Sequence, residues 1–288
     1  MTEYSMKIGT LSQNYSSAEF SFTDNGQNNP KIVSFSANSQ RVMSELPYSQ
    51  IHYYIDTDGI KPRVLNVEGV FVGENRITAH RNLSSVIHST GVKKFWLNSD
   101  YFLIGTGVLT SHRLTSQQPL FIPYAIDFVC LSPFVYGSTL HSQNYTVTTD
   151  NSWVNLGSLS NSGNAPAHIW EIHIKNKSSV NITRVEISDS SSGNGNIVKW
   201  EGTLASGKTL VLYLFYQVTD NIPYTVEKQY YLNDGSHNGT RNYTAKNNND
   251  WLRIEANSSQ TFSAKINFDG SVGSGAEITF KWYDAYWE

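Results

Sequence analysis

The segment LFIPYAIDFVC, residues 120–130, alternates so regularly that it restricts what the chain can fold into. Leu120, Ile122, Tyr124, Ile126, Phe128 and Cys130 share one face of an extended chain, and Phe121, Ala125, Asp127 and Val129 share the other, where Pro123 interrupts the ladder. Successive side chains of a strand point to opposite faces, so this is a strand with one apolar face to bury. Cys130 is the only cysteine and sits on that apolar face next to Phe128, with no histidine close in sequence. In such a setting a thiol acts as a small hydrophobe with a raised pKa and is unsuited to chemistry. Pro133 cannot donate to a ladder and holds the residue before it extended, so the strand is expected to stop there. The polar stretch STLHSQN then follows PFVYG, which places a domain junction around residues 138–146.

Composition supports strands elsewhere. Only 16% of the 288 residues are charged, against roughly 25% in ordinary globular chains, while 17 Tyr, 13 Phe and 7 Trp supply bulk suited to pleated surfaces. The net charge of −3 and the lack of Lys/Arg clusters argue against nucleic-acid recognition. Lys93-Lys94 is the sharpest local basic feature and reads as a solvated turn. The N-terminus, MTEYSMKIGTLSQ, shows no secretory signal, and the longest apolar run, LVLYLFY (210–216), is too short to span a bilayer, so no membrane insertion is expected. A single cysteine allows neither an internal disulfide nor a thiolate zinc cluster. N-x-S/T triplets begin at Asn14, Asn82, Asn144, Asn176, Asn181, Asn238, Asn242 and Asn257, and the abundance of Asn, Ser and Thr accounts for them better than glycosylation does.

Along the chain, KPRVLNVEGVFVGEN (61–75) reads as a strand with Leu65, Val67 and Phe71 inward, a bulge at Gly69 and a turn at Gly73. RITAHRNLSSVIHST (76–90) is the one segment with helical period, through Ala79, Leu83, Val86 and Ile87, with Gly91 placed to end it. KKFWLNSDYFLIGTGVLTSHRL then returns to strands. Beyond the junction no helical period stands out. AHIWEIHIKN (167–176) alternates with Trp170, Ile172 and Ile174 inward, TRVEIS buries Val185 and Ile187, and DSSSGNGN (189–196) is a loop. TLVLYLFYQV (209–218) is apolar on both faces, as a central sandwich strand would be, and NDGSHNG (233–239) has hairpin-turn chemistry. Short strands at such spacing describe a β-sandwich.

Catalytic constellations are hard to find. Of the eight histidines (52, 80, 88, 112, 141, 168, 173 and 237), His168 and His173 are expected on opposite strand faces, and His80 and His88 on the polar face of the helix, too far apart to chelate together. GTG (105–107) and GNG (193–195) read as turn glycines. Glu255, Asp269, Asp284 and Glu288 could serve a hydrolase, but nothing pairs them. No catalytic, cofactor-binding or metal residue is therefore assigned, no cofactor is expected, and the chain is expected not to be an enzyme. KWYDAYWE (281–288) is either a sugar-stacking platform or a buried terminal strand, with Phe280 and Trp282 on one face and Tyr283 and Ala285 on the other; the strand is the commoner case.

Four pieces of the chain, in order, resemble the distal tail (Dit) protein family of long-tailed bacteriophages. IDFVCLSPFVYG (126–137) is similar to the F-x-C-x-x-P-x-x-Y ending of that family's first domain. LSNSGNAPAHIWEIHI (159–174) resembles its asparagine, G-N-A-x-x-x-P and strand arrangement, though here the proline comes earlier, at Pro166. NNDWLRIEANSSQTFSAKI (248–266) resembles its D-W-L-x-L-x-P-G-x-N-x-F segment, with Ala256-Asn257 in place of Pro-Gly; Asn can adopt the left-handed conformation there. ITFKWYDAYW (278–287) resembles its aromatic last strand. The resemblance implies a mainly β chain in two parts. Residues 1–140 would form a ring-building β-sandwich or barrel-like domain with one helix at about 76–90, and residues 141–288 a galectin-like, jelly-roll type sandwich. It also implies a structural protein of the virion, made in the bacterial cytoplasm, that forms a homohexameric ring between the tail tube protein and the tip hub. Further partners would be a receptor-binding protein and host glycan. The strands within 100–131 are the candidates for pairing between protomers. The alternatives are a carbohydrate-binding β-sandwich module for host-surface adhesion and a polysaccharide hydrolase.

Overall fold

The computed structural model describes residues 6–22, 30–38, 63–89, 91–111, 121–213, 229–233, 245–246 and 252–287. The chain is mainly β, with antiparallel sheets and a single α-helix among the described residues. It divides into two compact units, one running to Ser138 and the other from Thr139 to Tyr286; Trp287 groups with the first. No helix among the described residues is long and apolar enough to cross a membrane.

The first unit contains β1 (Lys7–Thr10), β2 (Phe20–Ser21), β3 (Pro30–Asn38), β4 (Val64–Val72), α1 (Arg76–His88), β5 (Lys93–Trp96), β6 (Tyr101–Ser111), β7 (Phe121–Cys130) and β8 (Val135–Gly137). Its sheet runs β2-β1-β5-β6-β7-β4-β3, with β8 paired to β6. The strict alternation of β7 appears as written: Ile122, Tyr124, Ile126, Phe128 and Cys130 are buried while Phe121 and Asp127 are exposed. β4 repeats this with Leu65, Val67 and Phe71 fully buried. The sheet curls, because Phe20 of β2 reaches Phe71 of β4 at 6.4 Å between ring centroids, and Phe22 lies equally close to Tyr124 of β7. Pro123 is tolerated inside β7 because it faces only β4, opposite Val70; the β6 pairing ends at Tyr124 among the described residues.

Several expectations for this unit need correction. Lys93 and Lys94 form half of β5 and are 1% and 5% exposed, so they are no solvated turn. The Lys94 ammonium lies 4.8 Å from the Phe102 ring centroid and donates to the Gln13 carbonyl, so its aliphatic stem is buried while its charge keeps partners. GTG is not a turn but the middle of β6. A Cβ at Gly105 would come within 2.2 Å of the Val129 carbonyl, and one at Gly107 within 3.2 Å of Ile87 Cδ1, so these glycines allow close approach. The irregularity near Gly69 lies on β3, between Ile32 and Ser34. Gly73 does turn the chain, at φ 85°. Finally, β7 lies between β6 and β4, whereas β6 pairs with β5 only over Phe102–Gly105, so among the described residues Thr106–Ser111 have β7 as their one strand partner and are the stretch of 100–131 left with an open side.

The helix forms where its period is read, but its buried face is His80, Leu83, Val86 and Ile87, with Ala79 only half-buried. His88 is exposed, as expected of a polar-face residue, whereas His80 is not.

The second unit contains β9 (His141–Val147), β10 (Val154–Asn161), β11 (Ala167–Asn176), β12 (Ile182–Ser188), β13 (Ile197–Leu204), β14 (Thr209–Tyr213), β15 (Gln229–Asn233), β16 (Ala245–Lys246), β17 (Arg253–Ile254), β18 (Ser258–Phe268) and β19 (Ala276–Trp282). They form two antiparallel sheets, β10-β18-β12-β13-β16 and β15-β14-β11-β19-β9, with β17 paired to the start of β11. Apolar side chains of both sheets make the core: Val185, Ile187 and Ile266 are fully buried from one, and Ile172, Ile174 and Ile278 from the other. Phe262 and Phe280 meet across the gap at 5.2 Å. β14 lies between β15 and β11 and buries Leu210, Val211 and Leu212, as its double apolar character requires. Leu120, residues 214–218, residues 234–239 where a hairpin turn is expected, Trp251 and Glu288 lie outside the described residues.

Candidate functional site: a buried asparagine junction

At one end of the second unit, β10 must pass into β11 through Ser162–Pro166, and its backbone groups need partners. Asn161, 2% exposed, supplies them. Its Oδ1 accepts from Gly163 N at 2.9 Å, a local turn that asparagine forms readily, and from Ala285 N at 3.4 Å. Its amide nitrogen donates to the carbonyls of Ala165 at 2.7 Å, Glu255 at 3.2 Å and Ile254 at 3.4 Å. Backbone bonds tighten the same point: Ala165 N donates to Ala285 O at 3.0 Å, and Asn257 N to Gly163 O at 2.8 Å. Gly163 is sterically required, because a Cβ there would lie 1.9 Å from Ala285 O. Asn257 stands at φ 48°, the left-handed conformation expected of it in place of glycine. One side chain thus joins three segments far apart in sequence.

The far end of β11 repeats the device. Asn176, fully buried, accepts from Ser178 N at 3.0 Å and donates to Val180 O at 2.8 Å and Leu204 O at 2.9 Å. Sequence reasoning noted Asn176 only as an N-x-S triplet. Both asparagines have a small residue two places on, Gly163 and Ser178, which closes the local turn, but the exposed Asn155 has Gly157 in the same relation, so the sequence pattern does not single them out. Burial also removes Asn176 as a glycan acceptor in the folded chain, while Asn14, Asn82, Asn144 and Asn257 are exposed.

The acidic and histidine candidates fall into separate structural roles. Asp284 accepts from Ser162 N at 3.1 Å and sits 3.1 Å from His141 Nε2, and the His141 ring stacks on Trp282 at 5.1 Å. Glu255 pairs with Arg253 Nε at 2.8 Å. Asp269 is exposed, and its backbone N–H donates to Asn181 O at 2.8 Å. His173 bonds Glu171 at 2.8 Å, and Lys281 reaches the same carboxylate oxygen at 3.1 Å. Burial alone would raise the Glu171 pKa, but the His173 hydrogen bond and the Lys281 charge outweigh it and hold the carboxyl below its ordinary value. Burial raises the Asp189 pKa, partly offset by hydrogen bonds from Asn196 that close the β12–β13 loop. His168 is buried at 1% exposure. No group of three His, Cys, Asp or Glu side chains suited to a metal occurs among the described residues. His52, His112 and His237 lie outside them.

Burial, opposed by Arg63, pushes the Cys130 thiol up to about 12, in line with its reading as a packing residue. The KWYDAYWE tract takes the strand alternative: Trp282 and Tyr283 are buried, Trp282 Nε1 donates to Ser160 O at 3.0 Å, and Tyr283 meets Trp170 edge-on at 4.7 Å. Of its described large aromatics, only Trp287 is exposed.

No family model matches the chain, and no curated protein matches it. Among solved structures, the Dit protein (gp 19.1) of SPP1, described as a paradigm of the hub adsorption apparatus in phages infecting Gram-positive bacteria, aligns over 97% of this chain and 98% of its own, at 13% identity and a TM-score of 0.46. The structure of infectious bursal disease virus Gx strain aligns over 98% of this chain and 75% of its own, at 12% identity and a TM-score of 0.19. Neither likeness is close enough to carry a functional argument.

Proposed function

We propose that this chain is a structural protein of a bacteriophage tail tip, of the distal tail kind, forming a hexameric ring that joins the tail tube to the tip hub and its host-recognition components. The observation that carries the reading is where the resembling motifs lie. Three of the four, 159–174, 248–266 and 278–287, meet at the Asn161 amide through Ala165, Ile254, Glu255 and Ala285. Residues that recur together because they hold one junction make a coherent structural signature, whereas scattered short matches would not. In this reading residues 1–140 build the ring and residues 141–288 form the galectin-like outer sandwich. The ring closes through a sheet edge, for which β3 is suited, since β4 is its one partner among the described strands. The chain acts without turnover, as a scaffold.

Light scattering on the purified full chain should report six 32.3-kDa protomers, and negative-stain images should show rings with a central channel. A monomer throughout the micromolar range with no rings in the images would overturn the reading.

A further inference from the structure

We propose that His80 makes the docking of α1 acid-labile, so that protonating its imidazole releases the helix from the sheet of the first unit. His80 lies on the buried face of α1 with Leu83, Val86 and Ile87 and is itself 6% exposed. Its ring meets Phe71 of β4 at 5.7 Å and 87°, and its buried Nε2 has no hydrogen-bond partner among the described residues. An imidazolium there would be a buried cation without an acceptor, which is costly unless a counter-charge lies close.

Among the described residues the surrounding elements supply none. From β7, the inward titratable groups are Tyr124, whose hydroxyl is likewise unpartnered, and Cys130; burial raises the pKa of both, so both are neutral in mild acid. Asp127 of β7 and Glu68 of β4 belong to the exposed, opposite face, and Asp127 accepts from Asn66 there. On β6 the one titratable residue is Tyr101 at its first position, and β2 has none, with the exposed Glu19 just before it. On the helix itself, Arg76 stands one turn earlier and Arg81 one residue later; both are cations. Desolvation accordingly lowers the His80 pKa from the ordinary 6.5.

The sign follows from proton uptake. Below about 6.5 the undocked imidazole binds a proton that the docked one refuses, so docking weakens as pH falls, until the docked pKa is passed. Release would lift Ile87 from Gly107 and open the contact of His80 with Phe71.

Two measurements on the full chain test this. In an NMR titration His80 should protonate below the ordinary 6.5 of histidine; protonation at or above it would overturn the proposal. In hydrogen exchange from about pH 7 to about pH 4.5, corrected for intrinsic rates, α1 amides should lose protection by up to about tenfold per pH unit within that window. His80→Leu, which fits an apolar face but cannot titrate, should flatten the dependence. A flat wild-type profile, or the same slope in the variant, would refute the switch. The imidazole titration decides the matter even if the variant does not fold.

Discussion

The two units differ in which buried polar groups stand out. In the first, two polar side chains that enter the core lie against rings, His80 on Phe71 and Lys94, which also donates to the Gln13 carbonyl, over Phe102. Close packing there depends on clearances, such as the absent Cβ of Gly105 and Gly107. In the second, the buried amides of Asn161 and Asn176 are bonded on both their oxygen and nitrogen, each to backbone from several segments. The lesson is that the cases just named in the first unit turn on shape, whereas in the second directed hydrogen bonds at the strand ends are added to close packing such as that of Gly163. Shape tolerates volume-conserving change, whereas an amide that serves several backbone groups has no equivalent replacement.

That contrast can be broken by substitution. The largest effect is expected from Asn161→Leu, which keeps side-chain bulk but leaves the carbonyls of Ala165 and Glu255 and the amide of Gly163 unpartnered; the cost should be about 3 kcal/mol or more in urea unfolding. Gly163→Ala should follow at about 2–3 kcal/mol, because the new methyl meets the Ala285 carbonyl. In the first unit, Gly107→Val should cost about 1–2 kcal/mol by pushing on Ile87, and a compensating Ile87→Ala should recover part of that in a double-mutant cycle. Recovery would mark the defect as one of volume; no comparable second-site change should rescue Asn161→Leu. Asn257→Ala should cost about 1 kcal/mol and Asn257→Gly nearly nothing, since only the backbone conformation at φ 48° is at stake. The smallest effect is expected at Cys130: with its thiol held at about 12, it should react with thiol reagents no faster than the unit unfolds, at any neutral pH. Fast labelling of the native chain would contradict its packing role.

Much of this was legible before the structure, where one face of an element is buried and the other is not. β7 and β4 follow their alternation, β11 follows it from Trp170 onward, past a register shift, and α1 follows its period, because burial of an apolar face fixes which residues point inward. The errors share one cause: local polarity or flexibility was read as exposure. Lys93-Lys94 reads as a solvated turn because charge usually seeks water, yet long stems can cross a core and leave the ammonium beside rings and a carbonyl. GTG reads as a turn because glycine permits one, yet within β6 its lack of a side chain is what makes room for Ile87 and for the Val129 carbonyl. His80 reads as polar-face because imidazole is polar, but the neutral ring costs less to bury than the imidazolium. At the junction, Asn161 and Asn257 belonged to recognisable motifs, whereas the three-segment meeting at the amide depends on chain crossings that local pattern does not encode. Asn176 was flagged only by an N-x-S triplet, which says nothing of its buried hydrogen bonds.

The most direct test of the account is backbone hydrogen exchange on the full chain carrying Asn161→Leu. The amides of Gly163, Ala165, Asn257 and Ala285 should lose protection together, while those bonded around Asn176, such as Ser178 and Gly207, keep theirs. Unchanged protection at the first group, or uniform loss at both ends of the sandwich, would contradict the claim that a single buried amide holds these three segments as one junction.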